Sequence, residues 1–107
     1  MRMEYHKLVR DRIPELIRRR GQSCAVATMT EEEYRQALRA KLVEEAHEAA
    51  QASTMQELVT ELADLSEVLD ALLTTYAIPL EIVQGEQSLR RTERGAFEQR
   101  LRLLWTQ

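Results

Sequence analysis

Cysteine, proline, glycine and aromatic residues are all scarce in this chain. Of its 107 residues one is Cys, two are Pro, three are Gly, and 5% are aromatic. A lone thiol, Cys24, makes no internal disulfide and is too little for a zinc site, which fits a reducing compartment. So few glycines and prolines write few turns, and the dominant Leu, Glu, Ala and Arg favour helices joined by short connections. No apolar run approaches membrane-spanning length, and the first residues lack the apolar stretch of a signal peptide. The expectation is a single soluble, cytoplasmic domain over residues 1–107 that keeps no contact with a membrane.

Charge is present in quantity but unevenly placed. The formal net charge is −3. Residues 1–20 carry seven Lys or Arg against three acids, whereas residues 31–70 carry eleven acids against three bases. A basic opening and an acidic middle fit either helix faces paired across the fold or a site handling both phosphate and metal. The overall acidity argues against DNA or RNA as the main partner.

The local signals are those of an all-α protein. Residues 5–10, YHKLVR, read as extended. Asp11 is placed to cap a short helix that has Pro14 in its first turn and ends at Gly21. Residues 22–29 have no helical period and read as extended. Thr30 with Glu33 forms a capping box that opens a helix of roughly residues 31–52. Ser53 or Thr54 can cap the next, over roughly residues 55–76, whose Leu58, Leu62, Leu65, Leu69 and Leu72 recur at helical spacing. Ile78-Pro79 breaks that helix and starts another running to about Arg94. Gly95 interrupts, and Phe97, Leu101, Leu104 and Trp105 make a last apolar pattern. The two central helices should pack as an antiparallel hairpin at the centre of a helical bundle. Four or five helices in so short a chain leave apolar stripes uncovered, so oligomerisation should complete the bundle.

A helical wheel locates one misplaced charge. With Leu38 at zero, Leu42 at about +40°, Ala49 at about +20° and Tyr34 at about −40° define the buried face. Glu45 falls at about −20°, in the middle of it. Glu48 lies on its flank at about −80° and Lys41 at about −60°, with Glu44 further round and His47 pointing away. On the second central helix, with Leu58 at zero, Glu61 falls at about −60° and Asp64 at about −120°. Glu45, Glu48, Glu61 and Asp64 can therefore converge on one seam. A buried carboxylate needs protonation, a Lys or Arg partner, or a metal cation. Any single E-x-x-E pattern is usually a solvated face, and Asp64/Glu67 and Glu67/Asp70 match it here as well. Two matched pairs on adjacent helices, one member lying on the apolar stripe, form a stronger pattern. Clustered oxygen ligands select Mg²⁺, with Mn²⁺ as a substitute, and such magnesium sites usually complete their shell with substrate phosphate.

These residues carry a resemblance. Glu44-Glu45-x-x-Glu48 followed after twelve residues by Glu61-x-x-Asp64 resembles the EExxE…ExxD signature of the all-α NTP pyrophosphatases. That superfamily includes MazG, the dimeric dUTPases and phosphoribosyl-ATP pyrophosphohydrolase. Tyr5–Ile17, YHKLVRDRIPELI, is similar to the KLVRDKIPE opening of its "house-cleaning" branch, with Arg12 replacing a lysine. Arg94–Leu104, RGAFEQRLRLL, is similar to that branch's RGGFEKRI-type closing segment, with Ala96 replacing a glycine.

The resemblance implies Mg²⁺-dependent cleavage between the α- and β-phosphates of a nucleoside triphosphate, releasing a monophosphate and pyrophosphate. By motif position Glu45, Glu48, Glu61 and Asp64 would hold the metal. Glu44 would bind it through water or serve as a base, with Glu45 beside it as the other candidate catalytic carboxylate. Lys7, Arg10 and Arg12 are the first candidates to meet substrate phosphate, with Lys41 and Arg94 behind them. The expected assembly is a homodimer or a dimer of dimers. Phosphoribosyl-ATP hydrolysis in histidine biosynthesis, a non-catalytic nucleotide-binding module and a purely structural helical oligomer are the competing readings. Glu44-x-x-His47 matches half of a di-iron motif, but a di-iron bundle needs two such motifs facing inward. Phe97 and Trp105 fit core or subunit packing better than base stacking.

Overall fold

The computed structural model describes residues 2–107 and has four helices in the order α1 (Ile13–Arg19), α2 (Glu31–Ala50), α3 (Met55–Thr75) and α4 (Leu80–Arg94). No strand occurs among the described residues, so the segments 5–10 and 22–29 are irregular coil.

Helix α2 begins as its sequence requires. Thr30 Oγ1 accepts from the Glu33 backbone N–H at 3.2 Å, and Glu33 returns the bond to the Thr30 N–H at 2.9 Å. Three glutamates occupy its first turn, where the helix dipole favours negative charge. Thr54 caps α3 through the Glu57 N–H at 3.1 Å, while Glu57 itself accepts from the Ser53 N–H at 2.8 Å. Helices α1 and α3 both end in a Schellman arrangement, with Gln22 N bonded to Ile17 O and Ile78 N bonded to Leu73 O. The first uses Gly21 at φ 81, and the second places Ala77 at φ 53, a backbone region a Cβ disfavours. The N-cap of α1 is Arg12 rather than Asp11, and it makes no side-chain cap bond. Helix α1 therefore starts on Pro14's fixed φ and the Glu15 charge in its first turn.

Helices α2 and α3, joined by residues 51–54, form an antiparallel hairpin and are the one extensively packed pair among the described residues. At the end remote from that loop, Arg35 lies 4.6 Å and Arg39 5.3 Å from the Tyr76 ring centre, and Arg39 Nε donates to the Tyr76 hydroxyl at 3.1 Å. These contacts tie the open end of the hairpin together. Between the two ends, Leu38 and Val68 are the buried hydrophobic residues.

The leucine stripe of α3 is only partly covered, with Leu58, Leu62 and Leu69 each at least a third exposed. Helix α4 projects from the hairpin with every side chain exposed. Beyond it Phe97, Leu101, Leu104 and Trp105 lie open in a tail that is not helical. The molecule measures 59 × 35 × 27 Å, with a radius of gyration of 18.5 Å. A compact chain of this length has a radius near 13 Å. Its accessible surface of 10036 Å² exceeds the roughly 6,200 Å² of a compact monomer of this mass.

Candidate metal and phosphate site

The site is built across the middle of the hairpin. Turn spacing on α2 places Glu44 and Glu45 side by side, and Glu45 is the one that enters the packed face. It is 7% exposed, the single buried charged residue among those described. Helix α3 brings Glu61 and Asp64 from the opposite side, one turn apart. One carboxylate oxygen from each of Glu45, Glu61 and Asp64 lies within 4.8 Å of the other two. The wheel's prediction that Glu45 faces inward and meets the α3 pair therefore holds.

Glu48 is exposed and lies outside the close trio. It instead lies close enough to Glu61 to push that carboxyl up.

Electrostatics distinguish the members. Burial, then the charges of Glu48, Asp64 and Glu44, push Glu45 above the usual carboxylate range, with Lys41 opposing. Burial, then Glu48, Asp64 and Glu45, push Glu61 up as well. Glu44 goes the other way. Burial alone would raise it, but the hydrogen bonds and charges of Lys41 and Lys7 together hold it below the usual range. Lys41 Nζ stands 3.3 Å from Glu44 Oε2 and 3.8 Å from Glu45 Oε1, and Lys7 Nζ stands 3.4 Å from Glu44 Oε1. Arg10 Nη2 donates to Asp64 Oδ1 at 2.8 Å.

Three of the five expected phosphate-binding cations thus sit on the carboxylates. Arg12 does not: its Nε pairs with Glu15 at 3.2 Å along its own short helix. Arg94 closes α4, and among the described residues no ion pair or hydrogen bond joins it to the cluster. Sequence reasoning missed that Lys7 and Lys41 grip Glu44 from two sides. The three-residue spacing of Lys41 and Glu44 signals half of that grip. Lys7, in an irregular segment, offered no periodic signal.

The donor set suits a hard divalent cation. All the clustered ligands are carboxylate oxygens, which fit Mg²⁺ or Mn²⁺ better than softer metals. Glu45 Oε2 and Glu61 Oε2 are both buried without a hydrogen-bond partner, so two oxygens of the trio lack any compensating contact from the protein. A buried acceptor in that condition is costly unless an ion or a proton satisfies it.

The sequence model of the phosphoribosyl-ATP pyrophosphohydrolase family matches residues 4–89. The chain belongs to the phosphoribosyl-ATP pyrophosphohydrolase family. This is a family of nucleotide pyrophosphohydrolases, metal-dependent hydrolases of phosphoric anhydrides within the all-α NTP pyrophosphatase superfamily. The family match spans all five carboxylates as well as Lys7, Arg10 and Lys41, and ends before Arg94. An uncharacterized protein of Mycolicibacterium smegmatis is 52% identical over 48 residues, which cover 45% of this chain and 49% of that protein. The chain thus aligns with about half the length of this curated relative. No solved structure matches. Among the described residues no helix is long and apolar enough to cross a membrane.

Proposed function

We propose that the chain hydrolyses a nucleoside triphosphate, non-canonical or surplus, between its α- and β-phosphates, giving a monophosphate and pyrophosphate with Mg²⁺ as cofactor. The observation that carries this reading is the buried Glu45, with one orphaned oxygen and a carboxylate clustered with Glu61 and Asp64, inside a family of pyrophosphohydrolases. Glu45, Glu61 and Asp64 would hold the ion, and Glu48 would steady Glu61 from its exposed flank. Bound there, Mg²⁺ masks phosphate charge and lowers the pKa of a bound water. Glu44, kept ionised by Lys7 and Lys41, is available at neutral pH to accept a proton from the attacking water. Lys7, Arg10 and Lys41 are placed to meet the charge that develops on the leaving pyrophosphate.

The base and sugar would be recognised by surfaces that a second copy helps to form. Shallow depressions at Leu73–Leu80 and at Glu31–Arg35 lie away from the carboxylates, and neither resembles an enclosed nucleoside pocket. A homodimer or dimer of dimers would cover the open faces of α3, α4 and the tail. Light scattering should give a mass at least twice 12.5 kDa.

Phosphoribosyl-ATP is the second substrate reading, favoured by the name of the matching family. The same bond is broken in either case. Pyrophosphate release from a panel of canonical and modified nucleotides plus phosphoribosyl-ATP, each with Mg²⁺, separates the two. Asp64→Asn should abolish release while leaving the helical circular dichroism intact. Full turnover in that variant would remove Asp64 from the site. No release from any substrate, together with a melting temperature indifferent to Mg²⁺, would sink the enzymatic reading.

A further inference from the structure

Within the trio of Glu45, Glu61 and Asp64, only one oxygen is taken up at close range by a cation from outside the hairpin. Asp64 Oδ1 accepts from Arg10 Nη2 at 2.8 Å, whereas Glu45 Oε2 and Glu61 Oε2 are buried with no partner. Lys41 approaches Glu45 Oε1 at 3.8 Å and belongs to the same helix one turn earlier, so it cannot leave with a moving segment. Lys7 bonds Glu44, which lies outside the trio. Arg10 differs from both. It precedes α1 in irregular chain, its side chain is more than half exposed, and its carbonyl anchors α1 by accepting from the Ile13 N–H at 3.1 Å. Its backbone is therefore held while the guanidinium can swing.

We propose that Arg10 is the resident counter-ion of the site: it neutralises Asp64 until a divalent ion arrives, is displaced by that ion, and then turns to the substrate's phosphates. The inference rests on the carboxylates being the metal site. A guanidinium on Asp64 Oδ1 repels a divalent ion brought onto the same carboxylate, so occupation by Arg10 opposes ligation of a metal ion there. A guanidinium released beside a metal-bound polyphosphate meets an acceptor whose geometry it matches in a bidentate manner. The same side chain thus opposes metal binding and favours phosphate binding.

The test is Mn²⁺ binding to the metal-free protein at low ionic strength, read by paramagnetic resonance of the free ion. Removing a unit positive charge about 5 Å from a divalent ion should tighten Mn²⁺ binding by Arg10→Met on the order of tenfold. The gap to wild type should narrow as salt is raised. Arg10→Lys, which keeps the charge, should stay within about twofold of wild type, and so should Arg20→Met, which removes a charge remote from the cluster. Calorimetry with inorganic pyrophosphate at saturating Mg²⁺ should show Arg10→Met binding on the order of tenfold more weakly, as for a lost charge-assisted contact.

Unchanged or weaker Mn²⁺ affinity in Arg10→Met overturns the counter-ion role, and unchanged pyrophosphate affinity overturns the second half. A merely structural arginine would lose affinity for both ligands. Asp64→Asn separates the levels. If it binds Mn²⁺ as wild type does, the metal site itself is misplaced and the counter-ion falls with it. If only Arg10→Met fails, the metal site stands alone. Should Arg10→Met lose its helical signal, Arg10→Gln makes the same comparison.

Discussion

Replacing Glu45 by glutamine should make the metal-free protein more stable and at the same time remove its response to metal. Glu45 is 7% exposed, its Oε2 has no partner, and its nearest cation, Lys41, stands 3.8 Å away while also engaging Glu44 at 3.3 Å. The carboxylates of Glu48, Asp64 and Glu44 crowd it further. Glutamine keeps the shape and drops the charge, leaving an amide that is still imperfectly satisfied. An unsatisfied buried neutral group costs about 1–3 kcal/mol and a charged one more, so the exchange should stabilise by about 1 kcal/mol. In a domain of this size that raises the melting temperature by roughly 4 °C. Differential scanning fluorimetry in EDTA, followed by a Mg²⁺ titration, reads both effects. The variant should melt higher than wild type in EDTA, show no further rise with Mg²⁺, and release no pyrophosphate. A lower melting temperature in EDTA would mean that the carboxylate is a satisfied partner of Lys41, which refutes the reasoning. A retained Mg²⁺ response would place the ion elsewhere.

Three further outcomes follow from the same contacts. Leu38, at 2% exposure, is the most buried residue of a very small core, so Leu38→Ala should cost about 3 kcal/mol, read as a lower urea midpoint. A midpoint shifted by less than a third of that would mean subunit contacts outweigh the hairpin core. Ala77 holds φ 53 at the end of α3, and Ala77→Gly should raise stability by about 1 kcal/mol by removing the Cβ from a left-handed position. A lower midpoint in that variant would show the strain is relieved in solution. Because Glu45 and Glu61 are raised in the fold, their contribution is fully present below the ordinary carboxylate value and is lost as pH climbs through their folded pKa values. The Mg²⁺-induced rise in melting temperature should therefore grow from mildly acid to neutral pH. A rise that shrinks over that interval contradicts the assignment. Glu44 and Glu33, which are lowered, act in the opposite sense and set the loss of stability on the acid side.

The sequence made the hairpin legible because its signals are local and repeated. A capping box at Thr30 and Glu33, a cap at Thr54 and five leucines at helical spacing each act within a few residues, and the structure retains all of them. Glu45 was legible for the same reason, since a helix's angular period places a side chain without knowledge of its neighbours. What failed depends on distance between segments. Glu48 lies on the flank of that face and is exposed, outside the close trio of Glu45, Glu61 and Asp64. Arg10 and Arg12 look equivalent in an irregular stretch with no period to orient them, but one reaches Asp64 and the other Glu15. The apolar tail after Gly95 forms no helix. Gly95 redirects the chain at φ 79, and the twelve residues that follow are all exposed. Isolated segments of that length are marginal as helices.

The charge balance of the site links these local facts to the proposed chemistry. Five carboxylates, Glu44, Glu45, Glu48, Glu61 and Asp64, face three cations, Lys7, Arg10 and Lys41. If all were ionised, two negative charges would remain uncompensated in a partly buried seam, and one divalent ion carries that amount. Burial first, and the neighbouring carboxylates after it, correspondingly push both Glu45 and Glu61 above the usual carboxylate range. The cations are not distributed evenly over the five acids. Two lysines hold Glu44 ionised, one arginine covers Asp64, and Glu45 and Glu61 are left with unpartnered oxygens. The basic opening of the chain therefore does more than balance the acidic middle. By compensating the rim of the cluster and leaving its centre uncompensated, it keeps Glu44 ionised while Glu45 and Glu61 retain oxygens with no partner.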